Sequence, residues 1–97
     1  MQMLSYQAFA GRSGETFDLA MGGSDMPLTL TEVAPIAAQP YPGMLREPFA
    51  LIFRSASSVV LPQRIYRLKN AALGALDVFL VPVGREPGGA VYQAVFN

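Results

Sequence analysis

A chain of 97 residues has room for one hydrophobic core, so we expect a single domain over residues 1–97. Seven basic residues balance seven acidic ones, which argues against nucleic-acid binding because that depends on many cationic contacts to phosphates. The chain has no cysteine, histidine or tryptophan, which excludes disulfide bonds, thiolate or imidazole metal sites, and Ser-His-Asp or Cys-His catalysis.

Charged residues make up 14% of the chain and hydrophobic residues 52%, whereas globular chains average about 25% charged residues. This shortage of charge leaves apolar side chains on the surface, as a partner-binding surface requires. The N-terminal sequence MQMLSYQAFAGRSG has no basic region and no unbroken apolar region, so we expect no signal peptide. No apolar run approaches the roughly 18 residues of a membrane helix. We therefore expect a cytoplasmic protein that binds no membrane.

The first part of the chain predicts one short helix followed by two strands. Apolar residues at helical spacing predict a helix over Ser5–Ala10. Thr16–Met21 alternates apolar and polar side chains with period two, which predicts a strand. A second strand covers Pro27–Ala37, and its alternation changes phase part-way along. We therefore expect a β-bulge near Glu32 or a break before Pro35.

The middle of the chain predicts a loop, a third strand and another loop. Gln39–Glu47 is bracketed by prolines and reads as a long loop, in which Tyr41 and Met44 are apolar groups available to a partner. Phe49–Arg54 alternates with period two and predicts the third strand. The serine-rich stretch Ser55–Ser58 predicts the next loop.

The last third of the chain predicts three consecutive antiparallel strands, and the first two permit a prediction of register. The pairing that sets Arg67 opposite Asp77 also places apolar residues opposite one another. The apolar rungs would be Ile65–Phe79, Tyr66–Val78 and Leu68–Leu76. A slip by one residue would set Asp77 against Leu68 and exchange the two faces, so the first register is favoured. It also sets Pro62 opposite Pro82, where we expect the pairing to end because proline has no donor.

The fifth and sixth strands are apolar on both faces, which predicts an interaction surface. One face carries Leu76, Val78, Leu80, Tyr92, Ala94 and Phe96, and the other carries Phe79, Val81, Val83, Val91 and Val95. A sheet with one face in water shows clean alternation, so the second face needs cover from the N-terminal helix, barrel closure or another subunit. The candidate interaction residues are Tyr41, Met44, Phe79, Val81, Val83, Val91 and Val95.

The polar residues do not form a recognisable catalytic, cofactor-binding or metal site. The seven carboxylates are spread through turns and outward strand positions, so we expect no enzyme and no cofactor. The glycine-rich stretch 11–16 leads into a strand, whereas a phosphate loop leads into a helix, so we interpret it as a turn. Arg64 and Lys69 are interpreted as edge charges, with an anion-binding patch that includes Arg54 as the alternative.

Several segments resemble a known bacterial family. The runs FAGRSGETFDL, FALIFRS, LPQRIYRLKNAALGALDVFLVPVGR and YQAVFN are similar to those of domain-of-unknown-function family 6916, over nearly the whole chain. The resemblance implies no activity, cofactor or site residue. Such proteins look similar to small companions encoded near phage-tail-collar-like proteins, which implies a role in assembling or capping a fibre.

These patterns together predict an all-β fold with one short N-terminal helix. We expect about six antiparallel strands in a small open barrel or a two-layer sandwich. The expected function is a non-enzymatic protein-interaction or assembly module, associated with phage-tail-like fibres, whose partner is another protein chain, including a copy of itself. The alternative is a small-ligand carrier that uses the barrel interior.

Overall fold

The computed structural model describes residues 4–36 and 48–96, which form one short helix and six strands. In chain order these are α1 (Tyr6–Phe9), β1 (Thr16–Ala20), β2 (Asp25–Pro35), β3 (Phe49–Ser55), β4 (Arg64–Asn70), β5 (Gly74–Glu86) and β6 (Gly89–Phe96). The predicted all-β fold with one short helix is confirmed. The predicted loop Gln39–Glu47 and the end of the second predicted strand, Ala37, lie outside the described residues.

The six strands close into a barrel in the order β1-β2-β3-β6-β5-β4, and every neighbouring pair is antiparallel. The chain forms two meanders, β1-β2-β3 and β4-β5-β6, which join where β3 meets β6 and where β1 meets β4. Closure gives each strand a neighbour on both sides, so the fold is a closed barrel and neither an open barrel nor a sandwich.

The predicted register between β4 and β5 is confirmed. Arg67 pairs with Asp77, and the Arg67 Nε donates to Asp77 Oδ1 at 3.1 Å. The pairing ends at the rung between Arg64 and Leu80, so the predicted rung of Pro62 with Pro82 was wrong. Pro82 lies opposite Tyr92 instead, because β5 leaves β4 at this point and continues beside β6.

A β-bulge interrupts each of the two longest strands, β2 and β5. In β2 the register shifts between Leu30 and Glu32, which confirms the predicted bulge. In β5 a second shift lies between Pro82 and Gly84, and it was not predicted. Gly84 is therefore the residue opposite Val91. Bulges increase the twist and bend of a strand, which allows β5 to pair first with β4 and then with β6.

The last strand pairs with the predicted neighbour, β5, and also with β3. The prediction set β6 beside the first half of β5, but β6 pairs with β5 only from Val81 to Glu86. Its other edge pairs with β3 from Phe49 to Arg54. The predicted face is confirmed, because Tyr92 and the other inward residues of this hairpin point into the barrel. Those residues are Val78, Leu80, Tyr92 and Ala94, each at most 2% exposed.

The barrel interior is filled by large apolar side chains, and α1 closes one end. The completely buried residues include Phe17, Leu19, Leu28, Leu30, Leu51, Phe53, Leu68, Leu80 and Tyr92. From α1, Phe9 packs with its ring centroid 5.7 Å from both Phe49 and Phe96 and 6.4 Å from Phe17. These partners come from three strand ends at the same end of the barrel. Ser5 has the extended backbone of a helix N-cap but forms no side-chain capping hydrogen bond.

Asn70 holds the seam between the two meanders at that end. Its Nδ2 donates to the Thr16 carbonyl oxygen at 3.1 Å and to Glu15 Oε1 at 3.2 Å. Its Oδ1 accepts from the backbone N–H groups of Ala72 and Leu73 at 2.9 and 3.0 Å. One buried amide therefore shapes the turn between β4 and β5 and also binds the start of β1.

Candidate functional site

The structure places the predicted interaction residues of β5 and β6 on the outside of the barrel. Phe79, Val83 and Val95 are 49%, 51% and 48% exposed, and Val81 and Val91 are half-buried. Tyr41 and Met44 lie outside the described residues. Barrel closure buries the inner face of the hairpin, whereas these side chains line its outer face.

Five of the outward residues form a surface that we call the outer apolar face: Ile65, Phe79, Val81, Val83 and Val95. Ile65 is 67% exposed and lies directly opposite Phe79 in the β4–β5 ladder. Val81 of β5 pairs with Gln93 of β6. Because the strands are antiparallel, Phe79, two residues before Val81, and Val95, two residues after Gln93, lie on the same side of this pair. The surface therefore runs across β4, β5 and β6 without a charged side chain among its members.

Sequence reasoning did not include Ile65 in the interaction surface, although its signal was present. The predicted register already set Ile65 opposite Phe79. Ile65 also shares its side of β4 with Arg67 and Lys69, whose charges mark that side as the outer one. Combining the register with the strand parity would have placed Ile65 beside Phe79 on the barrel surface.

The alternative of a shared anion patch does not form, because three cations each have their own carboxylate. Arg54 contacts Glu86 at 3.3 Å, and Lys69 contacts Asp25 at 3.2 Å. Arg67 contacts Asp77, and this hydrogen bond raises the pKa of the Arg67 guanidinium. The basic residues therefore do not converge on one anion.

The structure also shows a groove that the sequence did not predict, which we call the seam groove. It is lined by Leu19–Met21 at the end of β1, by Leu61 and Pro62, and by Arg64–Arg67 at the start of β4. Its volume is about 450 Å³. The sequence signal for this groove was the Gly-Gly-Ser turn after β1, which ends β1 and leaves the first residues of β4 without a neighbouring strand on that side in the described chain.

Two tyrosines fix the loop that forms one wall of the seam groove. The Tyr92 hydroxyl accepts a hydrogen bond from the Leu61 N–H at 3.0 Å. The Tyr66 hydroxyl donates to the Pro62 carbonyl oxygen at 2.6 Å. Burial raises the pKa of Tyr66, an effect that the nearby Arg64 cation opposes. The Tyr66 hydroxyl is the donor that holds the loop at Pro62.

The stretch 11–16 is a turn between α1 and β1, as predicted. Gly11 and Gly14 have φ angles of +81° and +94°, which residues with side chains adopt rarely. Arg12 contacts Glu15 across the turn at 3.3 Å. The stretch then enters β1 directly, so no helix follows whose first amides could bind a phosphate.

In residues 4–36 and 48–96, no group of three or more acidic side chains is placed to hold a metal ion. The same residues contain no helix that is both long enough and apolar enough to cross a membrane.

Residues 4–96 match the family model described as "Domain of unknown function (DUF6916)". The chain belongs to the DUF6916 family. The match confirms the resemblance seen in the sequence, and the family description carries no activity that could be transferred to this DUF6916 domain. No curated protein and no solved structure matches the chain significantly.

Proposed function

We propose that this DUF6916 domain is a non-enzymatic protein-interaction module that assembles with a second copy of itself through the outer apolar face. The observation that supports the proposal is the exposure of Ile65, Phe79, Val83 and Val95, each between 48% and 67% exposed on neighbouring strands. Burying such side chains against a partner removes apolar surface from water at about 25 cal/mol per Å².

The charge distribution favours a second copy as the partner. The chain carries no net charge, so no long-range repulsion opposes the approach of two copies. The ion pair between Arg67 and Asp77 is internally balanced and lies two rungs from the pair of Ile65 and Phe79. Two outer apolar faces related by a two-fold axis would therefore meet without opposing like charges.

Two other roles remain predictions with less support. A small-ligand carrier would need free volume inside the barrel, where Phe17, Phe53 and Tyr92 are completely buried. Assembly of a phage-tail-like fibre follows from the resemblance alone, and it would use the same surface for a different partner.

Charge placed on the outer apolar face should dissociate the assembly without unfolding the barrel. We expect the substitutions Val95→Lys and Phe79→Lys each to weaken self-association at least tenfold, about 1.4 kcal/mol at 25 °C. Both side chains are half-exposed, so the monomer can accept the charge. Sedimentation equilibrium measures the association, and circular dichroism measures the fold.

The matched control is Thr16→Lys, which adds the same charge at an exposed position of β1, on the other meander. It should leave self-association unchanged. A parent protein that stays monomeric up to millimolar concentration would overturn the proposal. So would variants at Val95 and Phe79 that associate as the parent does.

A further inference from the structure

The barrel seam between β1 and β4 is paired for only part of the length of β4. In the described residues these strands share two rungs, Asp18 with Lys69 and Leu19 with Leu68. β1 then ends at Ala20, and the Met21 N–H is used within the following turn by the Ser24 carbonyl. β4 extends further, so within the described chain its residues Arg64–Arg67 pair with β5 on one side and with no strand on the other.

An unpaired strand edge selects an extended polypeptide as its ligand. Alternate residues of such an edge direct their N–H and C=O groups outward, and another strand satisfies them in a regular ladder. The free edge of Arg64–Arg67 spans roughly 13 Å at about 3.3 Å per residue, which is enough for about four residues of a bound strand. The seam groove lies along this edge and provides the space.

The side chains of the seam groove add a preference for an acidic partner. Met21 is 48% exposed and, with Leu61, offers apolar contact to a bound segment. The Arg64 side chain forms no ion pair or hydrogen bond with any described residue, in contrast to the side chains of Arg67 and Lys69. A guanidinium beside a partly apolar groove is suited to bind a carboxylate through two parallel hydrogen bonds.

We propose that the seam groove binds an extended, acidic peptide segment of another protein as an added strand beside β4. This inference does not rest on the self-association proposed above, because it uses the edge of β4 and Arg64, and the seam groove shares only Ile65 with the outer apolar face. A second copy is a poor occupant of the groove. Pairing two β4 edges would bring together two Arg64 guanidinium groups that have no carboxylate partner among the described residues.

A peptide selection with charge reversal tests the proposal. A library of random linear octapeptides is selected against the Val95→Lys protein, in which self-association is expected to be weakened, and in parallel against the Val95→Lys/Arg64→Glu protein. We expect the first selection to enrich acidic peptides and the second to lose them. A synthetic copy of the most enriched peptide should bind the Arg64→Glu protein at least tenfold more weakly by fluorescence anisotropy.

Two controls separate strand addition from nonspecific electrostatic attraction. Arg85→Glu changes the net charge by the same amount outside the groove, and it should change peptide affinity less than twofold. A peptide with N-methylated backbone amides keeps its charges but cannot donate the hydrogen bonds of a strand ladder, so it should not bind. Hydrogen exchange should show new protection at amides between Arg64 and Arg67 when the unmodified peptide binds.

The proposal is overturned if no acidic peptide is enriched, or if Arg64→Glu and Arg85→Glu weaken binding equally. Protection that appears elsewhere on the barrel would also overturn it. Protection of the Arg64–Arg67 amides that rises with protein concentration in the absence of peptide would identify a second copy as the occupant. Since the selection uses the Val95→Lys background, failure of the outer apolar face as an assembly surface would leave this result unaffected.

Discussion

Gly89 allows the hairpin between β5 and β6 to lie close to β3. The residue is buried, and a Cβ atom at this position would overlap the carbonyl oxygen of Ser55. Backbone atoms cannot move aside as the end of a flexible side chain can. The adjacent Gly88 has a φ of +85°, as the second central residue of a tight Pro-Gly turn requires. The positive φ angle at Gly88 and the close approach of the Ser55 backbone at Gly89 therefore both favour glycine.

The change Gly89→Ala should lower the free energy of unfolding by about 1–3 kcal/mol, because the added methyl group forces β6 away from β3. The matched control is Gly84→Ala in the partner strand, where an added Cβ meets nothing within 4 Å. That control should change stability by less than about 0.5 kcal/mol. Urea unfolding monitored by circular dichroism measures both, and equal effects would show that the contact with Ser55 does not limit this position.

Phe9 is the completely buried side chain of the helix α1. The four residues of this helix are too few to form a stable helix in water, since helix nucleation is costly and is repaid only over many residues. Phe9 is completely buried and contacts Phe17, Phe49 and Phe96, and Phe49 stacks on Phe96 with centroids 4.8 Å apart. The element is therefore held by its packing on the barrel end.

The change Phe9→Ala should destabilise the protein by about 3–5 kcal/mol, the usual cost of removing a buried phenylalanine ring. Gln7→Ala in the same helix changes an exposed side chain and should alter stability by less than about 0.5 kcal/mol. Chemical denaturation compares the two variants. A Phe9→Ala protein as stable as the parent would mean that the barrel end is closed without α1.

The barrel is joined by two long-range seams, and β6 forms one of them. It pairs with β3 along one edge and with the second half of β5 along the other. Its inward residues, Ala90, Tyr92 and Ala94, belong to the core. Removing this strand would open the barrel and expose the side chains that Tyr92 covers.

A chain that ends at Ala90 should therefore fail to fold. The loss of two ladders and of Tyr92 exceeds the roughly 5–15 kcal/mol by which a domain is stable. Thermal unfolding followed by circular dichroism should show no cooperative transition for the truncated chain. A transition near the temperature of the parent would show that five strands are sufficient.

The sequence by itself determined the features that depend on local patterns. Period-two alternation predicted the first three strands, and the change of phase near Glu32 predicted the bulge in β2. The short turn between β4 and β5 leaves few possible registers, so the apolar rungs and the Arg67–Asp77 pair selected the correct one. The same alternation placed Phe79, Val83 and Val95 on one side of their strands, and these side chains are exposed in the structure.

Only the tertiary structure decided which distant strands meet. The joins of β3 with β6 and of β1 with β4 connect segments tens of residues apart. Alternation tells which side of a strand faces inward, but it does not tell which strand lies beside it. Barrel closure, the division of β5 between two neighbours, and the point at which β1 leaves β4 all follow from fitting six strands around one core. The seam groove is a consequence of that fit, so it has no signature in the sequence of either strand alone.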